Sequence, residues 1–110
     1  MSELKWYRVL GPEAAAERIP KGKLQLVKLG KQRICIAHTE QGYVAVSDIC
    51  PHLGESLSGG TINFLNEVIC PWHGYRFNLI DGRECRQRTP DLEIHKVEMR
   101  EEGLFLGVIR

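Results

Sequence analysis

The sequence contains no apolar run that approaches the roughly 20 residues needed to cross a bilayer. It begins Met1-Ser2-Glu3-Leu4 and shows neither the apolar core nor the cleavage site of a signal peptide. Charge of one sign is not in excess either, because 15 Lys and Arg stand against 14 Asp and Glu, for a formal net charge of +1. That balance gives no reason to expect nucleic acid or a membrane surface as a partner. We therefore expect a soluble protein of the cytoplasm.

The chain also lacks internal repeats, low-complexity segments and any Gly- or Ser-rich linker that would mark a domain boundary. With 110 residues it is long enough for one hydrophobic core and too short for two domains. Its composition, 43% hydrophobic and 26% charged, is that of an ordinary globular protein. These features predict a single domain over residues 1–110.

Two short motifs share a pattern of one cysteine, one histidine and a terminal glycine, namely Cys50-Pro51-His52-Leu53-Gly54 and Cys70-Pro71-Trp72-His73-Gly74. Two thiolates and two imidazoles form a complete ligand set for a metal centre. In a zinc finger the like ligands come in pairs along the chain, C-x2-4-C followed by H-x3-5-H. Here each pair is mixed, C-x-H and then C-x2-H, which disfavours a structural zinc site.

The motifs C-P-H-L-G and C-P-W-H-G resemble the two ligand loops of Rieske iron–sulfur proteins. In that family two cysteines hold one iron of a [2Fe–2S] cluster and two histidines hold the other iron. The resemblance implies that Cys50 and Cys70 bind the first iron. It implies that His52 and His73 bind the second. The spacing C-x4-C-x2-C of plant-type ferredoxins is absent.

Runs rich in β-forming residues, separated by short turns with glycine, predict antiparallel strands. These runs cover residues 6–10, 23–29, 33–38, 43–46, 67–70, 75–80, 92–99 and 104–108, with a helical turn over 13–17 and a loose connection over 57–60. The Rieske resemblance implies an all-β fold. Its antiparallel β-sandwich or barrel base would be formed by both ends of the chain. A small cluster-binding subdomain would be inserted at about residues 45–85.

The resemblance also bears on the reduction potential. In the respiratory, high-potential Rieske proteins a disulfide ties the two loops, and its cysteines fall at positions equivalent to Glu55 and Trp72. Those proteins also hydrogen-bond the cluster sulfurs with the hydroxyls of a Ser and a Tyr, at positions equivalent to Tyr75 and Phe77. Because neither device is present here, we predict a low-potential centre of about −150 mV, at the lower end of the Rieske range.

No G-x-G-x-x-G fingerprint of a flavin or nicotinamide site is present, nor a two-His-one-carboxylate set for mononuclear iron. We therefore interpret the chain as an electron-transfer protein rather than an enzyme. Its resemblance to Rieske-type ferredoxins implies that it accepts one electron from a flavoprotein reductase. It would pass that electron to a terminal oxygenase, typically one that dihydroxylates aromatic rings.

Three other functions stay open. The small Rieske subunit of a nitrite reductase is similar in size and in motif. A regulatory or redox-sensing module would use the same cluster without turnover. A zinc-binding interaction domain would purify as a colourless protein.

The remaining cysteines and histidines lack a partner at ligand spacing. Cys35 lies in an apolar run and is predicted to be a core residue, whereas Cys85 lies between charged residues and is predicted to be an ordinary thiol, both of them reduced. His38 and His95 are predicted to be structural. A short basic stretch near the second motif is either a solvated face or a surface that steers an acidic partner, and it consists of Arg83, Arg86 and Arg88.

Overall fold

The computed structural model describes residues 4–51, 54–72 and 74–109. Its elements in chain order are β1 (Leu4–Leu10), α1 (Pro12–Arg18), β2 (Leu24–Leu29), β3 (Gln32–Thr39), β4 (Gly42–Ser47), a 3₁₀ turn (Leu57–Gly59), β5 (Thr61–Ile62), β6 (Glu67–Ile69), β7 (Arg76–Asn78), β8 (Ile94–Arg100) and β9 (Gly103–Ile109). Strands dominate, which confirms the prediction of an all-β fold. Each predicted strand is present, with ends that differ by one or a few residues.

The larger of two sheets has six antiparallel strands in the order β1-β9-β8-β4-β3-β2 and curls into half a barrel. Strands from the two ends of the chain meet inside it, where β4 pairs with β8 through Ala45 with His95 and Val46 with Ile94. The base is therefore built from both ends of the chain, as the sequence predicts.

Strand β3 is buried on both faces, which explains its unbroken apolar run over residues 34–37. Because successive side chains of a strand point to opposite faces, Ile34 and Ile36 pack into one core with α1 and β9. Cys35 and Ala37 pack into a second core, which contains the smaller sheet. Strand β3 therefore separates the two cores and contributes side chains to both.

Helix α1 covers one of these cores. It begins at Pro12, which suits the first helical position because its missing N–H has no partner there in any case. Seven residues are too few for a helix that is stable alone, and packing stabilises this one, since Ala15 and Ile19 are fully buried. Within the described residues, no helix is long and apolar enough to cross a membrane.

The smaller sheet consists of β5, β6 and β7 in antiparallel order. Val68 of β6 pairs with Phe77 of β7, and both side chains are fully buried. Their core also contains Cys50 and Cys70, so this sheet carries the region of the two motifs. The predicted insertion of a small unit into the β base is confirmed, and its limits at about residues 45–85 stay a prediction.

A close backbone approach at Gly82 joins the small unit to the chain that leads into β8. The Leu92 N–H donates to the Gly82 carbonyl at 2.7 Å, and a Cβ at Gly82 would lie 2.1 Å from the Leu92 oxygen. Gly22 has a similar positive φ, +87° against +79°, but no atom lies within 4 Å of its Cβ position. The two glycines therefore share a backbone conformation and differ in the space around it.

We expect Gly82→Ala to destabilise the fold by about 1–3 kcal/mol more than Gly22→Ala, because only the first substitution adds a collision to the shared cost of a positive φ. Urea unfolding of the two variants measures this difference. Equal losses would show that the approach between residues 82 and 92 relaxes without cost.

Candidate metal centre

The two motif loops close with the same backbone hydrogen bond. The N–H of Cys50 donates to the carbonyl of Glu55 at 2.8 Å, and the N–H of Cys70 donates to the carbonyl of Tyr75 at 2.8 Å. In both loops the acceptor is the fifth residue after the cysteine. Each loop is thus a six-residue unit with its cysteine at the first position.

Both loops also turn at a glycine in their fifth position. Gly54 has φ +78° and Gly74 has φ +69°, in the left-handed region that glycine adopts without strain. Strand-like pairs flank each loop, Ile49 with Ser56 around the first and Ile69 with Arg76 around the second. The repeated C-P…G pattern of the sequence therefore has a repeated hairpin tip as its structural counterpart.

These tips bring Cys50 and Cys70 together. Both residues are 1% exposed, and their side chains lie in the same core, close enough to interact. Burial raises the pKa of the Cys70 thiol to about 11, partly offset by a backbone hydrogen bond from Trp72. A metal ion would reverse this effect, since a coordinating thiol loses its proton. Two buried thiols in one core fit the cysteine side of an iron–sulfur site.

The predicted histidine ligands, His52 and His73, lie outside the described residues. Over residues 4–51, 54–72 and 74–109, no group of three or more His, Cys, Asp and Glu side chains could hold a metal ion. The described part of the chain therefore supplies two of the four predicted ligands. Both are cysteines.

A buried carboxylate supports the first loop. Asp48 is fully buried and accepts a hydrogen bond from the Ser58 N–H at 2.7 Å and another from the Ser56 hydroxyl. Arg33 lies 3.5 Å from the same carboxylate, and the Asp48 carbonyl accepts the Leu57 N–H at 2.9 Å. Sequence reasoning missed this residue. An acidic side chain two positions before the motif cysteine, with serines at 56 and 58, was the available signal.

A second buried carboxylate lies behind the second loop. Arg88 donates to Glu84 through Nε at 2.9 Å and through a terminal nitrogen at 2.8 Å. Its guanidinium lies 3.8 Å from the centre of the Tyr75 ring. Of the predicted basic stretch, Arg83 and Arg86 remain exposed and form no ion pair with any residue that the structure describes. Arg88 is 39% exposed as well, but it is paired with Glu84 and is therefore not a free surface charge.

Comparison with known proteins decides the family. Residues 5–98 match the Rieske [2Fe-2S] domain. The chain belongs to the Rieske family. That family holds one [2Fe–2S] cluster on two cysteines and two histidines, so the predicted cofactor is confirmed and the zinc alternative loses its support.

Among relatives of this Rieske chain, ferredoxin CarAc of Metapseudomonas resinovorans is 28% identical over 104 residues, which are 93% of this chain and 92% of that protein. A chain in the complex of reduced oxygenase and oxidized ferredoxin of carbazole 1,9a-dioxygenase has a TM-score of 0.78 at 26% identity, with 92% of this chain and 91% of that chain covered. These likenesses confirm the prediction of a ferredoxin-type electron-transfer domain.

Two further matches are to other kinds of protein. The putative NADH-dependent nitrite reductase small subunit of Mycobacterium tuberculosis has a TM-score of 0.79 at 14% identity. The match covers 100% of this chain and 98% of that one, which shows a shared fold. Cholesterol 7-desaturase nvd of Xenopus laevis is 33% identical over 94% of this chain. This Rieske chain spans only 23% of that protein's length.

The other predicted residues of this Rieske chain have clear structural settings. Cys35 is fully buried in the core, as predicted, while Cys85 is exposed and donates its S–H to Glu84 at 3.2 Å. His38 bonds through Nδ1 to the Ile19 carbonyl at 2.7 Å and stacks on a tyrosine. His95 bonds through Nε2 to Ser47 at 3.2 Å, and burial lowers its pKa. Both histidines therefore have structural partners.

Proposed function

We propose that Cys50, His52, Cys70 and His73 hold the [2Fe–2S] cluster and that the protein carries single electrons to a terminal oxygenase. The observation that carries this proposal is the meeting of Cys50 and Cys70 at the tips of two equivalent loops. The bound cluster supplies reversible one-electron chemistry. As in the Rieske family, Cys50 and Cys70 hold one iron, and His52 and His73 the other.

The burial of the two cysteines gives the site an inner and an outer side. Cys50 and Cys70 would hold an iron at the edge of a dry core, in which the buried Val68 and Phe77 also pack. Ile49 and Trp72, beside the two cysteines in sequence, are 53% and 52% exposed. We infer that the partner contacts this apolar edge and that the electron passes on the side of the histidines.

The electron donor in this proposal is a flavoprotein reductase, and the acceptor is an oxygenase that dihydroxylates aromatic rings. Support comes from the ferredoxin relatives, which the chain matches over nearly their whole length. We place the protein in the cytoplasm as a single Rieske domain over residues 1–110. Its four cysteines are all free thiols, which fits a reducing compartment.

The small subunit of a nitrite reductase is the second candidate, since the fold of such a subunit covers this whole chain. An assay with purified partners separates the two functions. With NADH, a flavoprotein reductase and an aromatic-ring oxygenase, we expect product formation that depends on this protein. Dependence of sirohaem nitrite reduction on the protein, with no transfer to the oxygenase, would reverse the order of the two candidates.

We expect a low midpoint potential, about −150 mV, at the lower end of the Rieske range. Two features support it. Glu55 and Trp72 leave no disulfide between the loops, and Phe77 brings no hydroxyl near the site, since its phenyl ring lies in the core. Redox titration followed by the visible spectrum measures the potential. A value above zero would contradict the low-potential assignment.

A further inference from the structure

We propose that Glu84 and Arg88 form a clasp on Tyr75 that positions the second ligand loop and balances the charge beside it. The inference deepens the proposed function and rests on it for its electrostatic part, because it assigns positioning residues to the cluster site. Its geometric part rests on described residues alone.

The clasp begins at the Glu84 carboxylate, which is fully buried and accepts hydrogen bonds on both of its oxygens. One oxygen accepts from the Arg88 backbone N–H at 2.8 Å and from Arg88 Nε at 2.9 Å. The other accepts from an Arg88 terminal nitrogen at 2.8 Å, the Arg86 N–H at 3.2 Å and the Cys85 thiol at 3.2 Å. Both the backbone and the guanidinium of Arg88 are therefore fixed by one side chain.

The second step leads from Arg88 to a cluster ligand. Its guanidinium, held flat by the two-pronged pairing, lies 3.8 Å from the centre of the Tyr75 ring. Tyr75 is the last residue of the second loop, and its carbonyl accepts the Cys70 N–H at 2.8 Å. One chain of contacts thus runs from a buried carboxylate to the backbone of a proposed ligand.

The clasp is anchored to the sheet at its other end. The backbone of Glu84 forms an antiparallel β-bridge with Phe77 of β7, and the Cys85 N–H donates to the Arg76 carbonyl at 2.9 Å. Since β7 directly follows the second loop, the clasp spans the loop's C-terminal side from the sheet to the Tyr75 ring. Movement of Tyr75 away from Cys70 would break the stacking on Arg88.

The pairing matters because Glu84 is fully buried and a buried carboxylate without a partner is costly, whereas 39% of the Arg88 side chain remains exposed. Arg88 therefore provides a planar group against the loop and brings the net charge of the pair to zero. A cluster held by this loop would thus have a pair of charges with no net charge beside it, and loss of either partner would leave one net charge there.

Four single variants test the clasp: Arg88→Met, Glu84→Gln, Arg88→Lys and, as control, Arg86→Met, which removes an exposed positive charge from the same segment. We expect the midpoint potential to fall in Arg88→Met, which leaves an unpaired carboxylate, and to rise in Glu84→Gln, which leaves an unpaired guanidinium. Arg88→Lys keeps the charge and loses the planar fork, so the potential should stay near that of the wild type.

Hydrogen exchange of the intact, cluster-bearing protein tests the positioning role. In Arg88→Lys and Arg88→Met, exchange over residues 68–72 should be about tenfold faster than in the wild type, because the loop opens locally once the fork is lost. Arg86→Met should leave both exchange and potential close to wild-type values. If Arg88→Met does not fold, Glu84→Gln and Arg88→Lys still give the charge and geometry readouts.

Potential shifts of opposite sign in Arg88→Met and Glu84→Gln, together with faster exchange, would support the clasp. Shifts of the same sign, or shifts and exchange no larger than in Arg86→Met, would overturn it. A wild-type protein without a Rieske cluster would instead refute the proposed function and the electrostatic half of this inference. The same exchange comparison, made on the full-length wild-type and variant chains as they purify without a cluster, would then decide the positioning half by itself.

Discussion

Replacing Cys70 with alanine is expected to give protein that holds almost no iron. Each iron of the cluster has two ligands from the protein, so loss of one thiolate leaves an iron with a single protein ligand. The lost thiolate has no replacement among the described residues, because Cys50 and Cys70 are the two cysteines that the structure brings together at the loop tips. Iron and acid-labile sulfide per chain, with the visible spectrum, measure the loss.

Cys35→Ala is the matched control. Cys35 is as buried as Cys70, packs in the same core, and has a pKa raised to about 12, first by burial and then by Asp48. It differs in its position, since it lies within β3 and not at a loop tip. We expect this variant to keep its iron. Equal loss of iron from both variants would mean that core packing, and not ligation, explains the result at Cys70.

Replacing Phe77 with alanine is expected to cost about 3–5 kcal/mol of unfolding free energy, the range for large aromatic residues in a core. Phe77 is fully buried, pairs with Val68 and packs in the core that contains both proposed cysteine ligands. A cavity at this site would remove packing from beneath the two motif loops. We therefore expect weaker retention of iron as well as lower stability.

Phe64→Ala separates burial from residue type. Phe64 belongs to the same small unit, in the turn between β5 and β6, but it is 92% exposed. Its removal should change the unfolding free energy by no more than about 0.5 kcal/mol, as is usual for surface positions. Urea unfolding midpoints of the two variants under anaerobic conditions make the comparison. Equal shifts would show that the core assigned around Phe77 does not contribute its expected stability.

Every strand except β5 could be predicted from the sequence, because each has a local signal. The apolar run over residues 34–37 and the glycine turns on either side indicate β3 without knowledge of its neighbours. Strand β5 was missed, and residues 57–60 before it were interpreted as a loose connection. Its two residues gain a strand partner only because the chain returns as β6, where Gly60 approaches so closely that a Cβ would lie 1.9 Å from the Ile69 oxygen. With only two residues, β5 is too short to show the alternation of apolar and polar side chains that predicts a strand.

The site residues also divide into those that a local motif predicts and those that depend on the whole fold. Both proposed cysteine ligands follow from the spacing within two short motifs, and a motif is a local property. The roles of Asp48 and Glu84 depend on burial, which the whole fold decides. In the sequence around Glu84 the arginines suggest a charged surface stretch. The sequence does not show that Arg88, four residues on, folds back onto the carboxylate while Arg83 and Arg86 stay in solvent.

Electron paramagnetic resonance of the dithionite-reduced protein is the most direct test of the central claim that two thiolates and two imidazoles hold one pair of irons. Unequal ligands make the two irons unlike, so we expect a Rieske signal whose average g value lies below that of all-thiolate clusters. A colourless protein with no signal, or the spectrum of an all-thiolate cluster, would contradict it.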